Sequence, residues 1–201
     1  MSGAQAPAGK RERTKAANRA AILRAGSETF AELGYGAASV RDIVRRTDLA
    51  TGTFYNYFPD KESVLREIMD DVAEQIRTRA RAARRHSVDL EGFVSDGFRA
   101  YYEVLAADRR LFALLRRNAG TIRAMFDEPA VFAGYEELQE DLRAAVDEGA
   151  LPPLDVDYLT GAMVGAGFEI AVIMLERDPP DVEGAVAFVT SLFLGGIERL
   201  R

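Results

Sequence analysis

Ser39-Val40-Arg41-Asp42-Ile43-Val44-Arg45-Arg46-Thr47-Asp48-Leu49-Ala50-Thr51-Gly52-Thr53-Phe54-Tyr55-Asn56-Tyr57-Phe58-Pro59-Asp60-Lys61 is the stretch on which the fold of this chain turns. Ser39 is a helix N-cap, and Asp42 three residues on supports the helix N-terminus. Val40, Ile43 and Val44 fall on one face of the short helix that follows. Thr47 and Asp48 break it, aspartate being one of the few residues besides glycine that tolerate the left-handed region. A second short helix is predicted over about Thr51–Tyr57, with Pro59 as its stop and Asp60 capping the next helix. Helices this short are marginal alone. A helix-turn-helix, in which one helix braces another that enters the DNA major groove, supplies the missing support.

Working outward, the period of apolar residues is helical almost throughout. Ile22, Leu23, Gly26, Phe30 and Leu33 form one stripe of a helix predicted from about Thr14 to Leu33, and Gly34 suits a left-handed cap after it. A long helix follows from Lys61 to about Arg84. Further helices are predicted over about Leu90–Ala107, Arg109–Asn118, Val131–Glu148, Val156–Glu176 and Val182–Leu200. The segment from Ala119 to Pro129 has no decisive pattern. The expectation is an all-α chain of about nine helices: a tail over 1–10, a three-helix DNA-binding domain over 11–62, and a helical bundle over 63–201 carrying a ligand cavity and a dimer interface.

The chain has no cysteine and one histidine, His86, which leaves no disulfide framework, thiolate metal site or histidine-centred triad. No metal or cofactor is expected. No apolar run is expected to reach the ~18–20 residues of a membrane span, and Met1–Gly9 lacks the pattern of a signal peptide, so a cytoplasmic protein without membrane contact is expected. The net charge of −6 argues at first against nucleic acid, but its distribution reverses that. Lys10 to Lys61 holds ten basic and six acidic residues, a net +4, which leaves −10 for the remainder. A basic front on an acidic body points one end at a polyanion.

The second short helix is poor in strong helix formers and rich in hydroxyls. With Leu49, Phe54 and Phe58 turned to the core, helical spacing turns Thr51, Thr53, Tyr55 and Asn56 outward. Such groups donate to phosphate oxygens, and Gly52 permits close backbone approach. Here the chain resembles a known family. Gly34-Tyr35, Ser39 to Val44, and Thr53-Phe54-Tyr55-Asn56-Tyr57-Phe58-Pro59-Asp60-Lys61-Glu62 are similar to the TetR family of bacterial regulators over roughly Thr14–Met69. The resemblance implies an N-terminal DNA-binding domain that grips a palindromic double-stranded operator. It also implies a C-terminal domain that binds a small-molecule effector and forms a homodimer, most often as a repressor. By the same resemblance, Ser39, Tyr55, Asn56, Tyr57 and Lys61 match phosphate-contacting positions and Arg41 a base-reading one. Thr51, Gly52 and Thr53 match the groove-facing start of the recognition helix.

Three departures bear on the operator: Asp48 stands where the family often has glycine, Ala50 where it often has a serine cap, and Thr51 where lysine is common. The missing serine predicts a cap shifted to Thr51. Plainer readings stand beside the functional ones. Ser39 is also simply a cap, Arg41 a solvated charge, Tyr57 half-buried core, and Lys10, Arg11 and Arg13 either a DNA-following arm or a solvated tail.

Beyond residue 90, aromatics and methionines are dense. At helical spacing such stripes are ordinarily core, yet their number suits an apolar cavity with a few hydroxyls. Phe98, Tyr101, Tyr102, Phe112, Phe126, Tyr135, Met163 and Phe168 are the candidate ligand-binding residues. Gly161, Gly165 and Gly167 interrupt a helix, which close helix–helix approach would compensate. Gly161, Gly165, Ile173, Val189, Phe193 and Ile197 are the candidate dimer interface, with a single-chain core as the alternative. Asp96, Glu103, Glu136, Glu140 and Glu169 could serve acid–base chemistry, but no spacing singles out a pair. An adaptor that kept the fold and lost DNA recognition is disfavoured by the intact Thr53–Lys61 block.

Overall fold

The computed structural model describes residues 6–124 and 129–200. Within them the chain is all-α, with ten helices and no strand. They are α1 (Ala6–Leu33), α2 (Val40–Val44), α3 (Thr51–Tyr55), α4 (Lys61–His86), α5 (Leu90–Ala106), α6 (Arg109–Arg117), α7 (Ala119–Arg123), α8 (Pro129–Asp147), α9 (Val156–Leu175) and α10 (Val182–Glu198). The segment without a decisive pattern thus holds a short helix, α7. Two compact units emerge. One runs through Met69 and recruits Ala113–Ala119; the other comprises Asp70–Phe112 and the residues from Gly120 onward. Helices α4 and α6 each belong to both units without a break.

In the first unit, α1 begins at Ala6 rather than Thr14, so the stretch from residue 6 to residue 13 is helix and not tail or arm. Pro7 is compatible with this start, since in a first helical turn it removes only an amide with no intrahelical acceptor. Residues 1–5 of the expected tail lie outside the described residues. Ile22, Phe30, Ile43, Phe54, Val64 and Leu65 are buried together as the core of this unit. Gly26 lets α1 lie close against α4: a Cβ there would stand 2.5 Å from Val64 Cγ1. Gly34 ends α1 at φ +80, as its position predicts, with its amide donating to Phe30 O at 3.1 Å.

Asn118 completes this helix end in a way the sequence did not signal. Its buried amide donates to Phe30 O (3.1 Å) and Leu114 O (2.7 Å), while its Oδ1 accepts from the Tyr35 amide at 2.6 Å. Every strong hydrogen-bonding direction of this carboxamide but one is used, which is what a buried polar group requires.

In the second unit α5, α9 and α10 pack on one another and α8 packs on α9. Asp89, Asp155 and Asp181 cap α5, α9 and α10 by accepting from backbone amides of Gly92, Tyr158 and Gly184. Ion pairs zip α4 to α8: Arg77 and Arg81 reach the same Glu137 oxygen at 2.6 and 2.9 Å, and Arg84 reaches Asp141 at 2.8 Å. One expectation fails here. Helix α9 is long and apolar enough, by length and composition, to cross a bilayer. Its glycines and alanines raise the apolar content without forming an evident run, and Met163, Gly167, Phe168, Ala171 and Met174 bury one side of it within the bundle.

Candidate nucleic-acid interface

The interface is built on two five-residue helices, shorter than the sequence predicts. Helix α2 is held by a capping box: Ser39 Oγ accepts from the Asp42 amide at 3.3 Å and the Asp42 carboxylate accepts from the Ser39 amide at 3.0 Å. The Ser39 hydroxyl, ahead of the Ser39 amide, holds the Asp42 carboxyl below its ordinary pKa. The turn after α2 needs no left-handed residue; among the described residues none but glycine has positive φ, so Asp48 does not serve that role. Thr47 shapes the turn instead, donating through Oγ1 to Val44 O (2.9 Å) and accepting there from the Leu49 amide (3.2 Å).

Helix α3 is pinned from below. Phe54 is 0% exposed and its ring lies 6.1 Å from that of Phe58 and edge-on to Tyr55 at 5.4 Å. On the upper side Thr51, Gly52, Tyr55 and Asn56 are exposed, Thr53 is half-buried, and a Cβ on Gly52 would meet nothing within 4 Å. Ala50, not Thr51, is the N-cap, and no side chain bonds the helix start. The shift of the cap to Thr51 is therefore corrected. Alanine has no acceptor to offer, and a threonine inside the first turn points away from the amides it would have to satisfy. Polar surface of this kind, with hydroxyls, an amide and an uncapped helix start, suits an anionic backbone.

Arg41 stands exposed on α2, and Tyr57 is half-buried with its hydroxyl accepting from Asn18 Nδ2 at 3.2 Å. Lys61 differs most from the reading as a displayed phosphate contact. Its Nζ donates to Tyr35 O (2.7 Å) and Ala38 O (2.8 Å) and lies 4.5 Å from the Tyr35 ring centroid. Two of its three donors thus close the α1–α2 connection. Asn18, Asn118 and the Arg46–Glu32 pair (3.1 and 2.5 Å) were not anticipated, since each bonds a partner distant in sequence. That pairing with Arg46 also lowers the Glu32 pKa.

These placements separate two substitutions. Tyr55→Phe removes an exposed hydroxyl and is expected to weaken operator binding several-fold, on the order of 1 kcal/mol, with stability changed by no more than about 0.5 kcal/mol. Lys61→Ala is expected to lower stability by about 1–3 kcal/mol, because two carbonyls lose their donor. Urea denaturation followed by circular dichroism checks both. A Lys61→Ala chain as stable as the parent would remove the structural role.

In the second unit the candidate ligand residues scatter. Phe98, Tyr101 and Tyr102 form a ring cluster, with centroids 5.8 Å apart for Phe98–Tyr102 and 5.2 Å for Tyr101–Tyr102. Met163 and Phe168 are buried and Phe112 is half-buried. Tyr135 instead lies over the start of α9, its hydroxyl donating to Asp157 O at 3.4 Å. Phe126 lies outside the described residues. For the dimer candidates the correction is sharper. Gly161, Gly165 and Ile173 are exposed on α9, but Val189, Phe193 and Ile197 are buried in their own chain's core. Helix α10 is apolar on two faces, and Phe188 and Leu192 occupy the exposed one, at 60% and 50%. Periodicity found the stripe that faces inward.

A short capped helix bracing a second, polar-faced one, with an α-helical bundle attached, defines a helix-turn-helix DNA-binding regulator. A family model for the bacterial regulatory proteins of the tetR family matches residues 22–68. The HTH-type transcriptional regulator RutR of Escherichia coli strain K12 is 27% identical over 169 residues, which cover 78% of this chain and 75% of RutR. The fatty acid degradation regulator FadR from Bacillus halodurans shares the fold with a TM-score of 0.78 and 26% identity, covering 92% of this chain and 97% of that one. FadR from Bacillus subtilis, solved in complex with stearoyl-CoA, has a TM-score of 0.77 at 22% identity, covering 89% of this chain and 98% of its own. The chain thus carries, over residues 22–68, the region that marks the tetR family of bacterial regulatory proteins, and the relatives and structures named here are transcriptional regulators.

Proposed function

We propose that the chain is a cytoplasmic, homodimeric repressor that holds a palindromic operator through the α3 face and releases it on binding an amphipathic, long-chain acyl effector of the acyl-CoA type. The observation that carries the DNA half is the hydroxyl-rich, uncapped α3, held out to solvent by buried Phe54. Ser39, Arg41, Thr51, Gly52, Thr53, Tyr55, Asn56 and Tyr57 form its contact surface, with the remaining donor of Lys61 beside it. The effector half is supported by the likeness to the Bacillus halodurans fatty acid degradation regulator and by the stearoyl-CoA complex of the Bacillus subtilis protein. A second copy of the chain docks on α9 and α10, where the large apolar side chains of Ile173, Phe188 and Leu192 are left exposed.

Release works as a population shift. Helix α4 is one uninterrupted element of both units, so an effector that binds better to one of its positions moves the two recognition helices of the dimer out of step with successive grooves. The test is fluorescence anisotropy with a labelled fragment from upstream of the protein's own reading frame. Binding that is reversed by stearoyl-CoA is expected. A chain that ignores this DNA contradicts operator recognition, and one that binds it but does not respond to acyl-CoA contradicts the effector class.

A further inference from the structure

Two hydroxyls in the interior of the second unit have no hydrogen-bond partner among the described residues: the Tyr102 phenol on α5 and Thr190 Oγ1 on α10. Tyr102 is 0% exposed and is among the largest fully buried side chains of the chain; Thr190 is buried as well. Leaving such a group unsatisfied is costly, so native interiors keep few of them and those that persist have a reason. A phenylalanine and a valine would fill the same volumes without that cost. The two helices are mutually packed, and the Phe98 ring stacks on Tyr102 at 5.8 Å and on Phe193 at 5.9 Å, one turn along α10 from Thr190. Around them the interior is apolar and tight: a Cβ on Gly167 would come within 2.8 Å of Phe98 Cε1. Burial, with a smaller contribution from Tyr101, pushes the Tyr102 phenol up in pKa, so it stays a proton donor.

We propose that the Tyr102 hydroxyl, seconded by Thr190, is the polar recognition element of the effector site and donates a hydrogen bond to the thioester carbonyl of a long-chain acyl-CoA. The inference rests on the effector class proposed above and adds the atom that reads it. A donor with no competing partner, set in apolar surroundings, suits the acyl portion of such a ligand, an apolar chain that ends in a single thioester carbonyl acceptor. It discriminates sharply, because a ligand without the carbonyl leaves the donor unmet.

The test is isothermal titration calorimetry of the full chain, without DNA, against stearoyl-CoA and against S-octadecyl-CoA, its thioether analogue without the carbonyl, both below their micellar concentrations. The parent protein is expected to bind the thioester about tenfold tighter than the thioether. Tyr102→Phe is expected to lose that tenfold and bind both ligands alike, with Thr190→Val losing part of it. Ligand-free Tyr102→Phe is expected to melt no lower than the parent, since it sheds an unpartnered hydroxyl. A parent that binds both ligands equally, a Tyr102→Phe variant that keeps the preference or weakens both ligands alike, or one that melts well below the parent overturns the assignment of Tyr102. A parent that binds neither ligand overturns instead the effector class, and the assignment with it.

Discussion

Replacing Phe54 with alanine is expected to destabilise the DNA-binding unit by about 3–5 kcal/mol, the cost of deleting a fully buried aromatic side chain and leaving a cavity. The residue is 0% exposed, sits between the Tyr55 and Phe58 rings, and is the one buried side chain of α3. A five-residue helix whose start has no side-chain cap cannot hold its shape by propensity. Its stability is borrowed from this ring. Against a total of about 5–15 kcal/mol for a typical domain, a loss of that size leaves the recognition helix frayed at ordinary temperature. Phe54→Leu, which keeps most of the volume, is expected to cost less than about 1.5 kcal/mol. Urea denaturation by circular dichroism, read beside operator affinity, checks both. An alanine variant with parental stability would mean that α3 is supported elsewhere.

In the proposed dimer, Leu192→Arg is expected to give a folded monomer and to cut operator affinity by about a hundredfold or more, since two linked half-site contacts become one. Leu192 and Phe188 are exposed on α10, so a charge there costs the single chain little, whereas between two copies it is buried without a partner. The contrast lies one turn away. Val189→Arg puts the same charge at a position 0% exposed and is expected to unfold the second unit instead. Sedimentation velocity distinguishes the two outcomes. A Leu192→Arg chain that remains dimeric would move the interface off this stripe.

Much of the first unit was legible because its signals are local. Gly34 follows the last apolar residue of α1, Ser39 stands three residues before Asp42, and Asp60 precedes Ser63, whose amide and hydroxyl it accepts at 2.7 and 2.8 Å. Each is a contact within one turn, and one turn is what spacing encodes. The structural role of Lys61 was not legible for the opposite reason: its partners Tyr35 O and Ala38 O lie more than twenty residues back, and no pattern near Lys61 announces them. Asn118 is more extreme, bonding a carbonyl 88 residues away. Helix α10 shows a third limit. Val186, Val189, Phe193 and Ile197 make as good an apolar stripe as Phe188 and Leu192, and which one turns inward is decided by α5 and α9, not by α10 itself. The start of α1 was placed late because the first nine residues are rich in Ala, Gly and Pro and carry no apolar stripe, although proline is at home in a first helical turn.

The reading of α3 as the operator-facing helix of a two-fold pair is tested most directly by hydroxyl-radical footprinting on the DNA upstream of the reading frame, comparing the parent chain with Tyr55→Phe. Two protected half-sites are predicted on one side of the duplex, centred about one helical turn or a multiple of it apart, with protection weakened in both halves together by the substitution. An unprotected duplex, a single protected patch, or a footprint that Tyr55→Phe leaves at full strength would contradict it.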